Sequence, residues 1–287
     1  MSSGRPGDKV EVVRQHGCHR IPTFLRGISQ YGFRVPPPQP PPPPDPTAPA
    51  EAGLFRTTHW SVVLSAGDAA APGAAASLSA LCQTYWFPLY CCVRRHGYSP
   101  EDAQDLTQAF FARLLERNQV SMADPGRGRF RTFLLRALEN FLRNQHRDRQ
   151  ALKRGGGLTV VSFETELAEQ RYAEEPADGC SPAELFERQW ACTLLDRVLE
   201  TLRTEFTVGG RSELFDQLEP HLWGDEDSTP HAVIASGLGM TVVAVRVTLH
   251  RLRQRYHDLL RREIANTVES AAEAVDELRH LRQILAN

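Results

Sequence analysis

Arginines, amides and aromatic side chains are interleaved over residues 127–154, and this mixture suits a partner with phosphates and exposed bases. The segment carries nine Arg and Lys residues against two acidic ones. Cationic groups can follow phosphates while aromatic rings and amides engage unstacked bases. Phe133 and Phe141 also have the spacing of buried core residues. The surface candidates are Arg143, Asn144 and Arg147. The pattern predicts a surface for single-stranded nucleic acid.

A second basic segment, residues 246–262, carries six arginines against one aspartate. Ala235, Gly239 and Val245 ahead of it have the spacing of a helix-turn-helix: a small residue lets the helices approach, glycine forms the turn, and valine packs the second helix back. Thr241 is expected to cap that second helix, whose arginines could reach guanine or phosphate in the major groove. Two separate basic segments in a chain of net charge −2 indicate a nucleic-acid partner.

The elements that would position these groups are helices. From residue 57 onward, apolar residues recur every three or four positions, which is typical of amphipathic helices. Ser99 followed by Pro100 predicts a helix start, and Ser181 with Glu184 predicts a capping box. A third helix is expected from about residue 130 to residue 152. The fold class is therefore all-α, with two small helical domains joined by a flexible acidic linker.

The expected divisions follow composition. Residues 1–53 form a disordered proline-rich extension, residues 54–156 and 181–268 form the two helical domains, residues 157–180 form the acidic linker, and residues 269–287 form a helical tail. The tail has one apolar stripe, which is expected to pack on its own domain or on a regulator. Its members are Ala274, Leu278, Leu281 and Leu285.

Several functional classes are not expected. No apolar run approaches the ~18 residues of a membrane span, and the charged N-terminus does not resemble a secretory signal. Six sparse cysteines without a CxxC pair predict reduced thiols and a cytoplasmic protein. Glu101, Asp102 and Asp105 are the best acidic cluster, but no histidine accompanies them and no glycine-rich phosphate loop is present. Catalysis, a metal site and a cofactor are therefore not expected.

The order of these motifs resembles bacterial RNA polymerase sigma factors of the extracytoplasmic-function group. The resemblance rests on residues 102–110 (DAQDLTQAF), on residues 130–134 (FRTFL) with Asn140, and on residues 239–253. Two further segments, THWSVVL at residues 58–64 and YSPED at residues 98–102, are similar to the group abundant in planctomycetes. The resemblance spans about residues 57–268 and leaves the proline-rich start unmatched.

The resemblance implies a two-domain transcription initiation factor that acts without catalysing a reaction. The first domain would bind core RNA polymerase and melt the minus-ten element of promoter DNA, and the second would read the minus-thirty-five element. By position, the polymerase-binding residues are Asp102, Asp105, Leu106, Gln108 and Phe111. The minus-ten residues are Arg131, Asn140, Arg143, Asn144 and Arg147, with Asn144 at a place that is often aspartate in the family. The minus-thirty-five residues are Thr241, Val242, Arg246, His250, Arg251, Arg253 and Arg255.

Two further kinds of partner and two alternative functions are compatible with the sequence. An anti-sigma factor or another regulator is a possible partner in such a family. A stand-alone helix-turn-helix regulator would explain the second domain. It would not assign a function to the acidic helix start at residues 101–105 or to residues 127–154. An interaction protein could use the proline run and the tail. Dependence of DNA binding on polymerase would discriminate between a sigma factor and a stand-alone regulator.

Overall fold

A computed structural model describes residues 60–68, 71, 73–151, 165–175, 179–222, 230–268 and 270–286. The expectation for residues 1–53 lies outside the described residues. Within the described ranges the chain forms ten α-helices, three short 3-10 helices and no strand. The all-α prediction is confirmed.

The helices follow in chain order, with most bounds close to those expected. They are α1 (Trp60–Gly67), α2 (Ala74–Arg95), α3 (Pro100–Glu116), α4 (Phe130–Ala151), α5 (Thr165–Ala173), α6 (Pro182–Val208), α7 (Ser212–Leu218), α8 (His231–Gly237), α9 (Val242–Ala265) and α10 (Ala271–Ala286). The 3-10 turns are Gln119–Met122, Pro125–Arg127 and Glu219–His221.

The expected helix starts are present as hydrogen-bonded caps. The Ser99 hydroxyl accepts from the Asp102 N–H at 3.1 Å and begins α3. Ser181 and Glu184 form the capping box of α6, with Ser181 Oγ accepting from the Glu184 N–H and the Glu184 carboxylate accepting from the Ser181 N–H. Each cap satisfies a backbone donor that the first helical turn leaves unpaired.

The two helical parts share one core, because α6 has apolar residues on more than one side. One side packs along α2, where Tyr85 and Phe186 stack with ring centroids 6.4 Å apart. Arg197 of α6 also donates to the Thr84 hydroxyl of α2 at 2.5 Å. Other sides of α6 carry α9 and α10, so buried residues run continuously from Val62 to Leu285.

The described part of the predicted linker is ordered against the first helical part. Glu169 of α5 accepts from Arg94 of α2 at 2.7 and 3.0 Å, and Arg171 lies 4.0 Å from the ring centroid of Phe87. The hydrogen bonds from Arg94 lower the pKa of Glu169. The segment Thr165–Ala173 is therefore helical where the sequence suggested only a flexible connection.

Four cysteines are free thiols, as expected: Cys82, Cys91, Cys92 and Cys180. Burial raises the pKa of Cys82 to about 11 and that of Cys92 to about 12, which keeps both as unreactive thiols at neutral pH.

Candidate nucleic-acid interface

A cavity of about 380 Å³ lies between α4 and the loop that precedes it. Its walls combine the three kinds of side chain that a single-stranded nucleic acid engages: aromatic rings, amides and guanidinium groups. They are Trp60, Phe133, Phe141, Asn140, Asn144, Arg113, Arg127, Arg129 and Arg136. The volume falls in the range of pockets for small organic groups, ~300–1,000 Å³. The cavity can therefore accept an unstacked base between rings and cations.

The loop before α4 is shaped by its own side chains. The Asp124 carboxylate accepts from the Gly126 N–H at 3.0 Å and pairs with Arg127 at 3.5 Å. Gly128 then adopts φ 111°, in the region that favours glycine. This sharp turn places the arginines of the loop at the rim of the cavity.

Phe130 fixes the first turn of α4. Its ring makes edge contacts with Trp60 at 6.2 Å and with Tyr85 at 5.6 Å, and it stacks on Phe133 at 5.8 Å. Phe130 is buried, whereas Phe133 is only half-buried and lines the cavity. The buried ring thus positions a partly exposed one at the site.

The predicted minus-ten residues on α4 divide between the cavity and the core. Asn140 and Arg143 are exposed, and Asn144 is half-buried in the cavity wall. Phe141 is a core residue, as its spacing indicated, and it meets Phe110 at 5.7 Å. The side chain of Arg147 lies outside the described residues.

Arg131 is the exception among the predicted minus-ten residues, and its assignment as a DNA contact needs correction for this conformation. It is 2% exposed. Its Nε lies 2.7 Å from Glu187 Oε2, its Nη1 pairs with Glu277, and its guanidinium lies 4.0 Å from the Trp190 ring centroid. Burial disfavours the charged form, but the two carboxylates outweigh it and raise the pKa of Arg131. The sequence carried no sign that its partners would come from α6 and α10.

The predicted polymerase-binding residues on α3 comprise an accessible group and a buried group. Asp105 is exposed, and Asp102 and Gln108 are half-buried. Leu106 and Phe111 are 4% and 5% exposed, so the prediction that they contact polymerase is corrected: they belong to the core and hold α3 in place. The outer face of α3 is therefore acidic and polar.

In the second half of the chain, α8 and α9 meet at 104° across a four-residue connection. Gly239 takes φ 63° in that connection, and the Thr241 hydroxyl accepts from the Ala244 N–H at 3.1 Å to begin α9. Ala235 and Val245 are buried between the helices. The angle, the glycine and the short turn are those of helix-turn-helix units.

The outer face of α9 carries polar and apolar side chains together. Arg246, His250 and Arg251 are exposed, as predicted. Val242 is half-buried against the core, and its assignment to the minus-thirty-five element stays a prediction. Val243 and Val247 are instead 68% and 44% exposed, and the sequence analysis missed them. Both valines lie on the opposite side of the helix from the buried Val245, and this spacing is the feature of the sequence that indicates their exposure.

Arg253 and Arg255 are half-buried and contact neighbouring parts of the chain. Arg253 Nη2 donates to the His221 carbonyl oxygen at 2.6 Å. Arg255 makes a bidentate pair with Glu205 of α6 at 2.9 and 2.5 Å. These contacts leave Arg255 39% exposed, so the assignment of both residues to the minus-thirty-five element stays a prediction.

The described part of the chain contains no group of three His, Cys, Asp or Glu side chains arranged to hold a metal ion. In the same ranges no single helix is long and apolar enough to cross a membrane. Within these ranges, α8 and α9 meet the length and composition criterion only when they are counted as one segment across the bend between them.

Comparison with known proteins connects the first half of this interface to a family. Residues 88–152, which include α3 and α4, match the model described as sigma-70 region 2. No curated protein and no solved structure matches the chain. The match shows that this segment is similar to region 2 of sigma-70 factors.

Proposed function

We propose that the protein is a sigma factor of the extracytoplasmic-function group, similar to those of planctomycetes, which directs core RNA polymerase to its promoters in the cytoplasm. In this role it is an initiation factor and not an enzyme. The observation that carries the proposal is the cavity beside α4, because all of its lining residues except Trp60 belong to the segment matched to sigma-70 region 2.

The first helical part, about residues 54–156, would bind polymerase and open the minus-ten element. The acidic outer face of α3, with Asp105 exposed, suits a basic or amide-rich surface on polymerase. The cavity would take an unstacked base, with Asn140 and Asn144 facing base edges and Phe133 stacking. Arg143 is placed to contact the phosphates on either side.

The second part, about residues 181–268, would read the minus-thirty-five element. Arg246, His250 and Arg251 lie on the exposed face of α9. A helix that follows a tight turn can place such side chains against base edges in the major groove. The acidic stretch of about residues 157–180 would connect the two parts, and the tail would follow from residue 269.

Run-off transcription tests the proposal. Purified core polymerase, the protein and genomic fragments should give discrete transcripts that are absent when the protein is left out. DNA binding that needs no polymerase, with no transcripts, would favour the stand-alone helix-turn-helix regulator instead.

A variant pair makes the test specific for strand opening. Asn144→Ala should reduce transcription from a duplex promoter more than from the same promoter with a pre-melted minus-ten bubble. Gln145→Ala is the matched control, because Gln145 lies on the same helix outside the cavity. Equal loss on both templates would contradict a role in opening.

A further inference from the structure

The C-terminal helix α10 reaches the candidate nucleic-acid surface through a single carboxylate. Glu277 of α10 has a fully buried side chain and pairs with both Arg129 and Arg131, the former at 2.6 Å. Arg129 lines the cavity beside α4 and keeps about a third of its side chain exposed. One carboxylate of the tail therefore pairs with two arginines at the start of α4, and Glu187 of α6 provides a second carboxylate for Arg131.

The remaining contacts of α10 are apolar. Leu278, Leu281 and Leu285 are buried, and the helix packs on α6 and α9. This stripe supplies the affinity of α10 for the rest of the chain, because apolar burial is roughly proportional to the area removed from water. Glu277 adds selectivity for the arginines.

An ion pair in this position is a poor stabiliser, which points to another role. Removing two charges from water costs several kcal/mol per ion, and apolar replacements of a buried pair are often neutral or stabilising. Registry and switching are the best-attested uses of such pairs. Here the paired arginines belong to the segment whose other cations are available to nucleic acid.

We propose that α10 is a reversible lock that withholds Arg129 from single-stranded DNA until the chain binds core polymerase. The polymerase step rests on the function proposed above, and the lock itself does not. Opening α10 would release Arg129 at the cavity, while Glu187 and Trp190 of α6 would still hold Arg131.

The test compares the full-length parent chain with Glu277→Gln in binding a labelled, mixed-sequence single-stranded oligonucleotide without polymerase. Each additional phosphate contact steepens the dependence of log affinity on log salt by about 0.7 for single strands. We expect Glu277→Gln to bind more tightly at low salt, by about tenfold, with a slope steeper by about 0.7 because one further cation, Arg129, is released. Asp276→Asn is the matched control, since Asp276 is the exposed neighbour on the same helix and should leave both quantities unchanged.

A folded Glu277→Gln chain with parental affinity and slope would overturn the lock. Circular dichroism establishes whether the variant is folded. If it is not, hydrogen exchange of the parent chain decides the question: amides of residues 271–286 should exchange faster after core polymerase is added. Unchanged or slower exchange would also overturn the lock. Absence of any complex with polymerase would instead contradict the proposed function.

A second observation is independent of the first and concerns α9. Val243 and Val247 lie four residues apart on the exposed face, beside Arg246, and neither belongs to the core. Residues at this spacing are about 6 Å apart along a helix, close to two base-pair steps of DNA. The apolar feature of the major groove is the thymine methyl group.

We infer that Val243 and Val247 each read a thymine methyl group in the upstream element. The surrounding arginines favour this occupant, because a protein partner with an apolar patch would not complement a face that carries Arg246, His250 and Arg251. The inference rests on the proposed reading of the minus-thirty-five element by α9. It predicts two thymines, on either strand, separated by about two steps.

Deoxyuridine provides the test, because it differs from thymidine only by the missing methyl group. The element is first selected from a randomised promoter library with the holoenzyme, and each thymine is then replaced singly. Loss of a buried methyl should reduce promoter binding about fourfold. Val247→Ala should abolish this sensitivity at one thymine, while Val208→Ala, an exposed valine at the end of α6, should preserve it.

Selected elements that tolerate deoxyuridine at every thymine would overturn the inference. An element without thymine would do the same. A library that yields no transcript at all would instead contradict the proposed function.

Discussion

Arg131 of α4 and Glu277 of α10 are paired although the exposure of their side chains is only 2% and 0%. The two residues are separated by most of the second helical part, yet they meet beside Trp190 of α6. A charge buried this deeply is tolerable only with its partner present, since an unpaired buried charge is strongly destabilising.

A double-mutant cycle should therefore show strong coupling between these residues. Glu277→Leu and Arg131→Met should each lower the free energy of unfolding by ~2 kcal/mol, because each removes one of the two partners of a buried charge, which keeps Glu187 or Arg129. The double variant should lose clearly less than the sum, by ~1–3 kcal/mol. Urea unfolding provides the measurement. The exposed pair Asp276 and Arg279, 2.6 Å apart, is the control and should couple by no more than ~0.5 kcal/mol.

Polymerase binding should depend on the acidic face of α3. Asp105 is exposed, so Asp105→Lys should leave the fold intact while it reverses a charge at the proposed contact. We expect weaker competition for core polymerase in a fluorescence binding assay, by about tenfold, and less weakening at high salt. Glu116→Lys, at the other end of the same helix, is the control. Equal effects of the two changes would indicate a general charge effect rather than a docking site.

The stability of the chain should also depend on pH through Glu263. Burial raises the pKa of Glu263 to about 7, against the opposing influence of Arg197 and Arg262. Between its ordinary pKa and this value, the folded chain holds a proton that the unfolded chain releases. Stability therefore falls as pH rises through this window, and the full penalty is present above it.

Glu263→Gln isolates this contribution. The variant should be more stable than the parent by ~1–3 kcal/mol at pH 8 and by much less near pH 5. The comparison with the parent is needed because His257, whose pKa burial lowers to about 4, acts in the opposite direction between pH 4 and 6.5. A difference in unfolding free energy that stays constant from pH 5 to 8 would contradict the assignment.

Local signals in the sequence were enough to predict the starts of α3, α6 and α9, but not the helix α5 within the expected linker. Ser99 and Ser181 predicted caps that are present, and Gly239 predicted the turn before α9. These features depend on residues within a few positions of one another. The apolar stripe of α10 was also readable, and its members are buried.

The pairing of distant charges was not predictable from one sequence. Arg131 and Arg255 belong to basic segments, and composition alone indicated a solvent-facing role for both. Their partners, Glu277 and Glu205, lie far along the chain on helices whose relative placement only the packed core determines. Periodicity identifies the face of a helix, but it does not identify which helix will cover that face.

Arg246 and Arg255 should respond differently to replacement, although both are arginines on α9. Arg246 is exposed about one and a half turns into the helix, whereas Arg255 is held by Glu205 of α6, which raises the pKa of its guanidinium through their hydrogen bonds. Arg246→Ala should lose a guanine contact, at a cost of ~1–3 kcal/mol against the preferred sequence, and relax selection at that position. Arg255→Ala should instead lower the free energy of unfolding by no more than ~1 kcal/mol, because both partners are partly exposed, and leave selection unchanged.

Selection by the holoenzyme from a randomised upstream element measures the effect of Arg246→Ala, and urea unfolding measures the effect of Arg255→Ala. If Arg246→Ala selects the parental sequence, Arg246 contacts only phosphate, and the neighbouring side chains of α9 contact the base edges instead.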